Sequence, residues 1–131
     1  MGADGSGSTG FVKLLMHWED CERMINPQLA DEQVRGGYMQ GLGGTLYEHC
    51  IYDQAGQLVN GTMADYHAPM AAEIPDIDVA HVETLTSASL PGAKAVGESD
   101  AGAAPAVVMN AINDALRPFG ARVTTQPSRP R

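Results

Sequence analysis

Apolar and polar positions along this chain change period several times, and each change marks an element. Residues Phe11–Trp18 form a short apolar run broken by Lys13 and His17, a length that predicts a strand rather than a helix. Asn26-Pro27 signals a turn and a helix entry. From Gln28 to His49 the spacing becomes helical, with Val34, Tyr38, Leu42 and Leu46 forming an apolar stripe. Beside it, Gln33, Gly37, Gln40 and Gly44 recur at i, i+4, i+7 and i+11. One face is therefore predicted as core. The other is small and amide-bearing, suited to close approach by a second backbone or a polar ligand. Gly36, Gly37, Gly41, Gly43 and Gly44 cost such a helix roughly 4–5 kcal/mol relative to alanine, so packing from outside must hold it.

Downstream, Cys50–Asp53 and Gln57–Val59 flank Gln54-Ala55-Gly56 and predict a hairpin. Residues Asp76–Glu83 alternate Ile77, Val79 and, more loosely, Val82 with polar positions, as a half-buried strand does. A second helix is expected from Pro105, a residue tolerated in a first turn, with Val108, Ala111, Ile112, Ala115 and Leu116 as its stripe. It should stop before Pro118, with Ala121–Thr125 as a last strand. The order β–α–β–β–β–α–β predicts an α+β layer: two main helices on a small mixed sheet. Residues 1–10 read as a flexible leader, 11–125 as one unit and 126–131 as a frayed tail.

Composition narrows the function classes. With 131 residues the chain fits one domain of modest core. Fifteen glycines, eight prolines and 5% aromatics leave few large core-filling side chains, so packing against a partner would add stability. A formal charge of −8 argues against nucleic acid, whose phosphates need clustered Lys and Arg. No apolar run reaches the length of a membrane span. Cys21 and Cys50 make no disulfide framework, which points to a reducing cytoplasm. Neither they nor His17, His49, His67 and His81 show zinc-site spacing, and no metal ligand is assigned.

The segment most able to carry chemistry is Gly92-Ala93-Lys94-Ala95-Val96-Gly97-Glu98-Ser99. It holds an ammonium and a carboxylate among residues too small to hide them, and its glycines let a ligand come close to the backbone. Read with Asp20-Cys21-Glu22-Arg23-Met24-Ile25-Asn26-Pro27, Gln33–Gly43 and Asp65-Tyr66-His67-Ala68-Pro69, it completes a set of four motifs. In this order and spacing they resemble the C-terminal part of the molybdopterin-binding large subunit of the xanthine dehydrogenase / aldehyde oxidase / carbon monoxide dehydrogenase family. The resemblance runs from about Phe11 to about Thr125.

What the resemblance implies is specific. In that family an electrophilic carbon is hydroxylated with oxygen taken from water, and Glu98 matches the general base. That role demands a carboxylate ionised at rest yet able to accept a proton in the transition state. Gln33 matches a glutamine that hydrogen-bonds the pterin, a task suited to an uncharged group offering both donor and acceptor. Gln40, on the same helical face, and Lys94 are further candidates for cofactor contact. The cofactor is then molybdopterin, with the cytosine dinucleotide as one form. The implied partners are a complementary large-subunit polypeptide, iron–sulfur and FAD subunits, and a small-molecule substrate such as an aldehyde or N-heterocycle. Alone, the chain is expected to bind no molybdenum and turn nothing over.

Two positions depart from the family pattern. Glu22 stands where the family has glycine, so a positive φ there would be strained. Asp100 stands where the family usually has glycine, and a carboxylate facing Glu98 would crowd an anionic cofactor. Both lean toward a rival reading, a non-catalytic truncated fragment or a small α+β binding module.

Overall fold

The computed structural model describes residues 15–74 and 76–128. The leader, the first part of the predicted first strand and residues 129–131 lie outside them. Two strands and two helices alternate: β1 (Leu15–Glu19), α1 (Pro27–Leu46), β2 (Ile77–His81) and α2 (Ser99–Leu116). The strands pair in parallel, with Leu15 opposite Ile77 and Glu19 opposite His81. A parallel pair needs a crossover, and α1 with the segment after it provides one. The expected α+β arrangement of two helices and a small sheet is present. Its sheet is parallel rather than mixed.

Helix α1 starts where Asn26-Pro27 said it would. The Asn26 side chain accepts from the Leu29 amide at 3.3 Å, and Pro27 occupies the first turn, where its missing N–H costs nothing. Val34, Tyr38 and Leu42 are buried as predicted. Tyr38 joins Ile77 and Ala104 in the core, with Met39 and Val79 packed against them.

The glycines divide by face. A Cβ on Gly37 would lie 2.9 Å from the Asp100 Cβ, and one on Gly41 would lie 2.7 Å from the Ala104 Cβ and 2.9 Å from the Ala101 carbonyl oxygen. These two let α2 approach α1 closely enough for backbone to touch backbone. Gly36 and Gly44 are exposed and would meet nothing within 4 Å. Gly37 therefore belongs to the helix seam, and the open face of α1 runs through Gln33, Gly36, Gln40 and Gly44, all exposed.

Two further expectations need correction. Helix α2 starts at Ser99, and Pro105 lies inside it. The first turns, Ser99 to Ala104, carry no large apolar residue to mark a stripe, so their helical character is invisible to hydrophobic periodicity. Pro105 cannot donate to the Ala101 carbonyl, and that carbonyl instead faces the bare Gly41. Residues 121–125 form no strand. The Asn113 side chain takes a strand's place, donating to the Val123 carbonyl at 3.0 Å and accepting its amide at 2.8 Å. The hairpin expected after α1 is present in short form: Tyr52 and Leu58 make an antiparallel bridge, and the turn is closed by Asp53, which accepts the Ala55 and Gln57 amides, and by Gly56 at φ 78°. Farther on, the Ser128 amide bonds the Thr45 carbonyl at 2.7 Å. No helix among the described residues is long and apolar enough to cross a membrane.

Candidate functional site

The four motifs gather at two ends of α1. At its C-terminal end, the Asp65–Pro69 motif packs structurally. The Tyr66 hydroxyl donates to Glu48 at 2.7 Å, which with burial pushes its pKa up to about 12. The His67 ring lies 5.1 Å from that of Tyr47.

The other three motifs meet at the N-terminal end. The backbone of residues 20–23 pairs with the glycine-rich loop: Glu22 bridges Ala93 in antiparallel fashion, the Arg23 amide donates to Gly92 at 3.2 Å, and the Lys94 amide donates to Cys21 at 3.0 Å. Asp20 accepts from the Glu22 and Thr84 amides, at 3.2 and 3.1 Å. The Thr84 bond chiefly, with help from Lys94, holds its carboxyl below the ordinary value. Burial pushes the Cys21 thiol up. On the loop side, Ser89 closes the turn around Gly92, at φ 70°, by bonding both the amide and the carbonyl of Ala93.

Glu98 is the residue before α2, and its side chain is exposed and does not cap the helix. Its neighbour Gly97 receives the Gln33 side-chain amide at 3.0 Å, which ties α1 to the residue immediately ahead of the carboxylate. Gln33 and Lys94 also border one open cleft of about 390 Å³, lined as well by Leu29, Ala30 and Val96. Gln40 lies two turns along the same exposed face of α1.

Lys94 does not stand free in this cleft. Its ammonium lies 2.6 Å from Glu22 and 3.6 Å from Asp20, and the Glu22 bond raises its pKa. Glu22 is buried, at φ 60°, the left-handed backbone that the glycine comparison anticipated. Asp100 is also buried, in the first turn of α2 under Gly37, where the helix N-terminus favours a carboxylate. It raises the Tyr38 pKa, though less than burial does. Asp100 and Glu98 thus occupy different environments, one inside the helix seam and one at the surface.

Sequence reasoning missed the Glu22–Lys94 contact and the pair of His81 Nε2 with Asp31 Oδ1 at 2.6 Å. Neither has a local signal, since each joins residues from distant parts of the chain. Among the described residues no three His, Cys, Asp or Glu side chains gather as metal ligands.

Comparison with known proteins gives this geometry a context. Residues 7–75 match the model of the molybdopterin cofactor-binding domain. The chain is 42% identical over 124 residues to the nicotine 6-hydroxylase large subunit of Paenarthrobacter nicotinovorans, covering 93% of this chain and 15% of that protein. It is 31% identical over 121 residues to a putative xanthine dehydrogenase molybdenum-binding subunit of Escherichia coli, covering 92% of this chain and 16% of that one. The crystal structure of quinoline 2-oxidoreductase from Pseudomonas putida 86 superposes with a TM-score of 0.82 at 44% identity, over 86% of this chain and 14% of that one. The chain thus corresponds to about one-seventh of the length of these relatives.

Proposed function

The chain belongs to the molybdopterin cofactor-binding domain family, and from that premise we propose that it forms one wall of a molybdenum hydroxylase active site. Glu98 is the general base, and Gln33, Gln40 and Lys94 face the cofactor. The hydrogen bond from Gln33 to Gly97 carries this reading, because it joins the proposed pterin contact to the residue beside the proposed base.

The residues suit the cofactor. Gln33 and Gln40 offer uncharged amides to a heteroaromatic edge, and Gly36, Gly44 and Gly97 leave space that any Cβ would occupy. Lys94 contributes its backbone and alkyl stem to the same wall, its charge balanced by Glu22. When bound, the molybdenum cofactor supplies the two-electron redox chemistry of hydroxylation. Within that chemistry Glu98, exposed at the head of α2, takes up the proton released as oxygen from water becomes nucleophilic.

The substrate is an aldehyde, an N-heterocycle or a similar carbon centre. The names of the relatives that act on nicotine and quinoline favour the heterocycle. Since the chain spans about one-seventh of such subunits, a complementary large-subunit polypeptide completes the cavity, and iron–sulfur and FAD subunits carry the electrons away. A cytoplasmic location fits the two free cysteines.

Co-expression with a complementary large-subunit polypeptide tests this. The assembled enzyme should hydroxylate substrate, and Glu98→Gln should lower kcat by at least about a hundredfold, within the usual range for a lost general base, while molybdenum stays bound. Unchanged kcat in Glu98→Gln would remove the base from this position. The 131-residue chain purified alone should contain no stoichiometric molybdenum.

A further inference from the structure

Glu22 carries two features that disfavour it where it stands. Its backbone is left-handed, φ 60°, a conformation few residues with a Cβ adopt, and its side chain is buried at 1% exposure. A buried carboxylate is tolerated only when its oxygens are paired. Here both are. One lies 2.6 Å from the Lys94 ammonium, and the other accepts the Thr86 amide. Two positions of the 86–94 stretch therefore close on one carboxyl group from a segment more than sixty residues earlier.

The consequence reaches the candidate site. Lys94 is held by Glu22, and three residues on, Gly97 is held by Gln33. Only Ala95 and Val96 lie between the two attachments, so the loop has little freedom to shift one without the other. We infer that Glu22 is a positioning residue: by binding Lys94 and Thr86 it sets the course of the Gly92–Gly97 loop, and with it the Gln33–Gly97 contact and the place of Glu98. The ammonium of Lys94 faces Glu22 and Asp20, so its part in the site is to transmit this position. Relevance to catalysis rests on the reading proposed above, whereas the clasp itself can be measured without cofactor.

Nuclear magnetic resonance on the full 131-residue chain provides the test. Glu22→Gln should speed amide exchange at Thr86 about tenfold, because the bond to a charged acceptor is the strong one that is lost, and by a smaller factor at Lys94, whose amide bonds the Cys21 carbonyl and is freed only as the loop loosens. It should also move the Gln33 side-chain amide signal toward that of a free glutamine. Lys94→Met should do the same, and the double variant should add nothing, as expected of two groups acting through one contact. Glu22→Asp, shorter but still anionic, should restore the signals in part. Val108→Ala, which loosens the helix seam elsewhere, serves as the control and should leave the Gln33 signal in place. The inference is overturned if Glu22→Gln and Lys94→Met both spare the Gln33 signal, or if Val108→Ala shifts it equally. These signals need no molybdenum, so a failed Glu98→Gln assay would leave the clasp standing, and a failed clasp would leave the base assignment untouched.

Discussion

The seam between α1 and α2 and the clasp between residues 20–23 and 92–97 join the same parts of the molecule by opposite means. The seam is made of absence: Gly37 and Gly41 carry no side chain, so Asp100, Ala101 and Ala104 come within van der Waals reach of the α1 backbone. The clasp is made of charge: Glu22, Asp20 and Lys94 with a few backbone bonds. The difference lies in what each can tolerate. The seam is intolerant of volume, while the clasp depends on the charge state of its members.

Added bulk at the seam should have the largest effect. Gly41→Val places methyls where Ala104 and the Ala101 carbonyl already stand, and should destabilise the chain by about 3 kcal/mol, the upper end of ordinary overpacking, in urea unfolding. A loss below about 1 kcal/mol would mean the helices can slide apart, and would break the contrast.

The same kind of substitution five residues earlier, on the opposite face of α1, should reverse sign. Gly36 is exposed with nothing near its missing Cβ, so Gly36→Ala should raise stability by about 0.5–1 kcal/mol through helix propensity alone. In an assembled enzyme this residue lies on the face proposed for the cofactor, and any loss of molybdenum occupancy in Gly36→Ala despite higher stability would sharpen the assignment of that face.

Titration of the clasp should give the smallest effect, since both groups are solvent-screened. Lys94 has a raised pKa, so its contribution is complete below the ordinary value of 10.5 and is lost as pH rises through the folded value. Asp20 has a lowered pKa, so its contribution is present above 3.8 and is lost as pH falls through the folded value. The stability difference between the native chain and Lys94→Met should therefore be flat through neutral pH and shrink above 10.5. For Asp20→Asn it should shrink below 3.8. A difference that changes near pH 7 would assign the clasp to another group.

Much of the first half of the fold was legible. Asn26-Pro27 marks a helix start by local geometry, and Val34, Tyr38 and Leu42 declare a buried stripe by spacing. Ile77 and Val79 likewise mark β2. The start of α2 was not legible, because Ser99 to Ala104 are small and Pro105 imitates a helix beginning. These residues are helical because Gly37 and Gly41 offer them a groove, and a groove is a property of two segments. The site followed the same division. Gln33 and Glu98 stood out by residue type and by family resemblance, and the bond joining Gln33 to Gly97 needed the fold.

By itself the amino-acid order determined the local elements whose signals sit within a few residues: the cap of α1, its apolar stripe, the Asp53–Gly56 turn and the glycine-rich loop. Tertiary structure alone decided that Glu22 binds Lys94, that Asp100 is buried under Gly37, and that α2 runs on through Pro105. The physical reason is range. Caps and periodicity act along the chain, whereas the burial of a charge and the docking of one glycine against another helix depend on which distant segment arrives beside it.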